Sequence, residues 1–185
     1  MSLAGKKYAQ ALMEVAMEQK VVEEIYEQFK MIMRGLRDHR DLYEILLLPS
    51  TQTSEKKSII EKIYKGQING YLYNLLMVVL DKNRMEDLKL IFESYRELYY
   101  DLNKMVEANV VTVVPMTEDE KAALKAKLEQ RTKKTVLLTT RIDDSIIGGM
   151  IVYLGDQVID GSVRRKLSLL KNELKEIRLQ ELGVN

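Results

Sequence analysis

Up to about residue 105 the apolar residues recur every three to four positions, the period of an amphipathic helix. Leu3, Ala4, Tyr8, Ala11, Leu12, Val15 and Ala16 form the first such face, with Lys6, Lys7, Gln10, Glu14 and Glu18 between them. A second helix is predicted over Val22–Asp38, with Val22, Ile25, Phe29, Ile32, Met33 and Leu36 inward. A short third, from Asp41 to Leu47, stops before Pro49, because a residue preceding proline is pushed out of helical ψ. Thr53 or Ser54 is placed to cap a fourth, which turns Ile59, Ile60, Ile63 and Tyr64 inward. Asn69-Gly70 opens a fifth that ends near Asp81-Lys82-Asn83, and the sixth runs from about Met85 to Asn103. The pattern predicts a helical bundle.

The fifth helix breaks the rule of one apolar face. From Tyr71 to Leu80 only Asn74 is polar. Such a helix is either the buried centre of the bundle or has one face in the core and another awaiting a partner.

Near Lys104 the period changes. Val106–Val114 is a β-type run closed by Pro115, which puts a domain boundary at about residue 105. Thr117-Glu118-Asp119-Glu120 is a helix start, with a Thr cap, acids in the first turn and Glu120 placed for a capping box. Strands follow at Thr135–Ile142, Met150–Leu154 and Gln157–Ile159, the last two joined by a Gly155-Asp156 turn. Asp160-Gly161-Ser162 then caps a helix predicted to reach about Leu182. Its residues Val163, Leu167, Leu170, Leu174 and Ile177 make one stripe, enough to cover a sheet, whereas Leu169, Leu179 and Leu182 lie outside it. The order strand, helix, strand, strand, short strand, helix predicts a small α+β domain.

Charge and composition exclude more than they assign. Basic and acidic residues balance on both sides of the boundary, 16 and 16 up to Met105 and 13 and 12 beyond it, so neither part has the broad basic field of a nucleic-acid binder. The 46% hydrophobic content is ample for a core, and no run reaches the length needed to span a bilayer. Without cysteine there is no thiolate nucleophile and no cysteine metal site. The single histidine, His39, sits in a charged link without companion ligands. Gly148-Gly149 lacks the Lys-Ser/Thr of a phosphate loop, and adjacent Asp143-Asp144 fits a turn better than a catalytic pair. No catalytic, metal or cofactor site is predicted.

Arg164-Arg165-Lys166 is more informative, because cations in a first helical turn oppose the helix dipole. Either Asp156 and Asp160 offset them internally or an acidic partner does. RNA is the weaker choice, since Tyr153 is the one stacking aromatic that the strands offer.

Several of these residues together carry a resemblance. Ile142-Asp143, Gly149 and the run Gly155-Asp156-Gln157-Val158-Ile159-Asp160-Gly161-Ser162-Val163-Arg164 closely resemble the signature of the F-type ATP synthase delta subunit. The mitochondrial counterpart of that family is the oligomycin-sensitivity-conferring protein. The match extends to Tyr8-Ala9-x-Ala11-Leu12 and to Leu75-Leu76-x-Val78-Val79-Leu80-x-x-Asn83-Arg84, and so covers nearly the whole chain.

The resemblance implies a non-catalytic connector without cofactors. Its six-helix N-terminal domain, residues 1–105, would grip N-terminal segments of alpha subunits of the catalytic head in a groove between the first and fifth helices. Carried over, the groove positions are Tyr8, Ala11 and Leu12 with Leu75, Val78 and Val79. The α+β domain, residues 106–185, would hold the C-terminal end of the b-subunit stalk. The resemblance assigns no single residue to that contact; the sequence points to Arg164, Arg165, Leu169, Leu179 and Leu182 beside the motif residues Asp160, Gly161 and Ser162. The expected setting is the cytoplasmic side of a bacterial cell membrane, as a peripheral component without membrane insertion. An RNA-binding adaptor using the α+β domain is the alternative.

Overall fold

The period-3.6 pattern becomes helix where it predicts helix. The structure, a computed structural model, describes residues 3–171. Helices α1 (Leu3–Glu18), α2 (Val22–Asp38), α3 (Arg40–Leu47), α4 (Thr53–Tyr64), α5 (Gly70–Asp81) and α6 (Leu88–Leu102) make up the N-terminal part, with a 3-10 turn at Met85–Asp87 leading into α6. Their inward stripes meet in one core in which Tyr95, Phe29, Ile25, Ile32, Leu72, Leu76, Leu88 and Ile91 are fully buried. Helix α1 lies against α5 and α6. Gly5 permits the second contact, because a Cβ there would stand 3.1 Å from the Leu90 side chain.

Aromatic rings lock α2 to α6. Tyr26 stacks on Tyr99 at 4.0 Å between centroids, and Phe29 meets Phe92 at 5.2 Å. Their polar ends find partners: the Tyr95 hydroxyl donates to the Val22 carbonyl at 3.3 Å, and the Tyr99 hydroxyl donates to Glu23. One cap departs from expectation. Helix α4 starts a residue early, behind Gln52, which makes no capping hydrogen bond through its side chain, so neither Thr53 nor Ser54 is the cap.

The second part is a four-stranded mixed sheet in the order β2-β1-β3-β4. Strands β1 (Met105–Thr112) and β2 (Thr135–Ile142) run parallel, joined by helix α7 (Glu118–Thr132); β3 (Met150–Leu154) and β4 (Gln157–Asp160) complete it antiparallel. The expected capping box is present, with Thr117 and Glu120 satisfying each other's backbone N–H groups. Leu128 of α7 packs with Ala108, Val110, Val136, Val152 and Leu154 to form a separate core. The chain thus divides into two units between Asn103 and Lys104, each with its own apolar interior.

Candidate docking surfaces

Helix α5 is fixed at both ends. Asn69 caps it, its Oδ1 accepting from the Tyr71 N–H at 3.0 Å, while the Asn69 N–H donates to Gln28 Oε1 at 2.6 Å and ties the start to α2. At the far end Asn83 adopts φ +51°, and the Arg84 N–H returns to the Val79 carbonyl at 2.9 Å. Between these points Leu72, Leu75, Leu76, Val79 and Leu80 face inward. Tyr71, Asn74 and Val78 face outward, with Tyr71 and Val78 each 41% exposed.

Helix α5 is therefore not buried all round: one face lies in the core and the other is exposed. Of the six groove positions, Leu12, Leu75 and Val79 belong to the core, Val79 at 0% exposure. They close the bundle from within and leave no open side chain to a partner. Ala11 and Val78 are exposed and Tyr8 is half-buried; Tyr71, absent from the expected set, is exposed too. Its signal was available: Tyr71 lies seven residues before Val78, on the same helical face.

In the sheet unit the motif residues build a corner. The Gly161 N–H donates to the Met150 carbonyl at 2.9 Å and the Val163 N–H to the Gly148 carbonyl at 2.9 Å. Gly149 has φ +79°, and a Cβ there would come within 2.4 Å of the Gly161 carbonyl oxygen, so no other residue fits without movement. Asp160 accepts from the Ser162 N–H at 2.9 Å, and the buried Ser162 hydroxyl accepts from the Arg165 N–H at 3.2 Å. A helix, α8, opens here and is described over residues 163–171.

Electrostatics tighten the same corner. Hydrogen bonds from Ser162 hold the Asp160 carboxyl below the ordinary carboxylate value, helped by the charge of Arg165. Hydrogen bonds from Ser145 do the same for Asp143, helped by Arg141 and Arg164. The cations at the start of α8 thus face carboxylates of their own chain, and Asp143, read as a turn residue, accepts from the Ser145 N–H at 3.0 Å.

The described part of α8 does not bury its share of the predicted stripe, whose Leu174 and Ile177 lie outside the described residues. Val163, Leu167 and Leu170 are exposed, and so is Leu169 at 51%. The sheet face carrying Ala108, Val110, Val136, Val152 and Leu154 is already filled by α7. Leu179 and Leu182 lie outside the described residues. Among the described residues no three His, Cys, Asp or Glu side chains gather as a metal site, and no helix is long and apolar enough to cross a membrane.

Exposed apolar residues on helices, beside independently closed cores, suit a component that binds other chains. Residues 4–174 match the family model for the ATP synthase delta (OSCP) subunit. ATP synthase subunit delta of Alkaliphilus metalliredigens is 35% identical over 175 residues, 95% of this chain and 97% of that one. The subunit from Clostridium perfringens strain 13 is 38% identical over 175 residues, 95% and 96% of the two chains. In fold the chain is similar to one in the Toxoplasma gondii mitochondrial ATP synthase hexamer, with a TM-score of 0.78 at 20% identity over 94% of this chain and 98% of that one. The chain belongs to the ATP synthase delta (OSCP) family. It is a structural, non-catalytic part of the peripheral stalk of the F-type enzyme, a membrane-associated complex.

Proposed function

We propose that the helical unit binds N-terminal segments of alpha subunits and that the sheet unit binds the C-terminal end of the b-subunit stalk. Together they form a static link between the catalytic head and the stalk during proton-driven ATP synthesis. The complex then sits on the cytoplasmic side of a bacterial membrane. The observation that carries the first contact is the outward strip of Tyr71 and Val78 on α5, a helix that packs against α1, where Ala11 is exposed as well. Helix α5 uses five apolar residues for its own core and still exposes two more. A helix laid along the strip would cover it, and the small side chain of Ala11 lets a backbone approach closely. Because Leu12, Leu75 and Val79 already seal the seam, the partner rests on it rather than wedging between the helices.

The second contact rests on α8, whose exposed Leu167, Leu169 and Leu170 project from a corner rigidly set by Asp160, Gly161 and Ser162. Holding a stator still requires slow dissociation and no chemistry. A nanomolar joint corresponds to about 12 kcal/mol, within reach of roughly 1,600 Å² of well-packed interface. The test is titration of the full chain with an alpha N-terminal peptide. Val78→Asp is expected to weaken binding more than about tenfold, equal to about 1.4 kcal/mol, with helicity unchanged. Unchanged affinity removes the strip as the contact.

A further inference from the structure

A second recess lies on other helices of the same unit. Between α2, α3 and α6 is a cleft of about 710 Å³. Its floor is apolar, with Leu36 buried and Met33, Phe92 and Tyr43 half-buried. Phe92 is backed by the rings of Phe29 and Tyr26, so the floor is firm. The walls are charged, and almost of one sign: Lys30, Arg34, Arg37, Arg40, Lys89 and Arg96 against Glu93.

The spacing gives these charges an order. Lys30, Arg34 and Arg37 stand at i, i+4 and i+7 on α2, and Lys89, Glu93 and Arg96 repeat that interval on α6. Each row is about 10 Å long at the helical rise, and Arg40 continues the first. The whole chain carries a net charge of only +1, so this excess is local patterning and not a general basic field.

Four of the six cations have acidic partners of their own, and Arg96 also has a contact within the chain, but the pairings are weak. Lys30 meets Glu27 at 3.2 Å, Arg37 meets Asp38 at 3.3 Å, Arg40 meets Glu44 at 3.0 Å and Lys89 meets Glu93 at 3.9 Å. All four pairs join close sequence neighbours on exposed surface, where ion pairs are weak and readily exchanged. Among the described residues Arg34 has no ion-pair partner.

We propose that this cleft docks an acidic amphipathic helix of a partner protein, as a site separate from the α1–α5 strip. Carboxylates on the two flanks of that helix meet the two basic rows, and its apolar row covers Met33, Leu36 and Phe92. A compact polyanion fits less well. The cations are spread along two rows and do not converge on one point, and the apolar floor would stay wet beneath it.

The test uses the full chain and a labelled peptide of about 18 residues, with leucines at helical spacing flanked by glutamates. Fluorescence anisotropy at about 20 mM salt is expected to show binding that weakens at least about tenfold by about 200 mM. Replacing every glutamate with glutamine is expected to cost a similar factor. Arg34→Glu with Arg37→Glu abolishes binding while far-UV circular dichroism stays unchanged; Arg34→Gln weakens it should the double variant fold poorly. Val78→Asp leaves it intact, which separates this site from the strip. The proposal is overturned by equal binding of the glutamine peptide, or by full binding to Arg34→Gln. It is also overturned where tripolyphosphate or vesicles containing phosphatidylglycerol bind at these arginines and the glutamate peptide does not.

Discussion

Val78 and Val79 are neighbours on one helix, and a charge means opposite things at the two positions. Val79 is fully enclosed, so Val79→Asp buries a carboxylate without a counter-ion and is expected to cost on the order of 3–5 kcal/mol, unfolding the helical unit. Val78→Asp places the same carboxylate in water and is expected to change stability by no more than about 0.5 kcal/mol. Urea titration followed by circular dichroism reads both. The sequence could not separate these two, because α5 is apolar on nearly every side and periodicity loses its contrast. Where a residue acts on its own local backbone, the sequence was plain: Thr117 and Glu120 form the expected box, and α5 opens at Asn69-Gly70 as expected, with Asn69 as its cap. Helix α4 shows the limit. Ser and Thr stood at its start, yet the chain entered the helix one residue earlier.

At the level of the element, the strand and helix limits followed from turn chemistry and period, whereas what each helix covers did not. The stripe of Val163, Leu167 and Leu170 suited a sheet, but α7 had already taken that face, a competition no local pattern records. Since the leucines of α8 are exposed, Leu167→Ser with Leu169→Ser and Leu170→Ser is expected to leave thermal unfolding within about 2 °C. The same variant is expected to lose capture by the b-subunit end in a pull-down. The corner that aims α8 is less forgiving. Gly149→Ala sets a Cβ against the Gly161 carbonyl at positive φ and is expected to destabilise the sheet unit by about 1–3 kcal/mol, seen as a lower urea midpoint for that unit.

At the level of the whole molecule, two interiors mean two unfolding transitions with opposite pH sensitivity. The carboxyls of Asp143 and Asp160 are held below their ordinary value of 3.8 in the folded sheet unit, so the stability they add is present above that value and is lost as pH falls through and below it. Tyr95 and Tyr99 are raised above 10.0 chiefly by burial, so their contribution is complete below pH 10 and is lost as pH climbs beyond it. Acid is expected to weaken the sheet unit first and alkali the helical unit first. Calorimetric scans at about pH 3 and about pH 11 would show which transition moves, and Asp143→Asn with Asp160→Asn should flatten the acid side. Cutting the chain after Asn103 is expected to keep alpha-peptide binding and to end stalk binding, since each unit has a core of its own.

The uncovered face of α5 has a further consequence for the cell. Among the described residues Tyr71 and Val78 stand in water, and the proposed alpha contact is what would cover them. On that reading a copy in excess of its assembly is expected to self-associate more than one given the alpha peptide, a difference that light scattering reads.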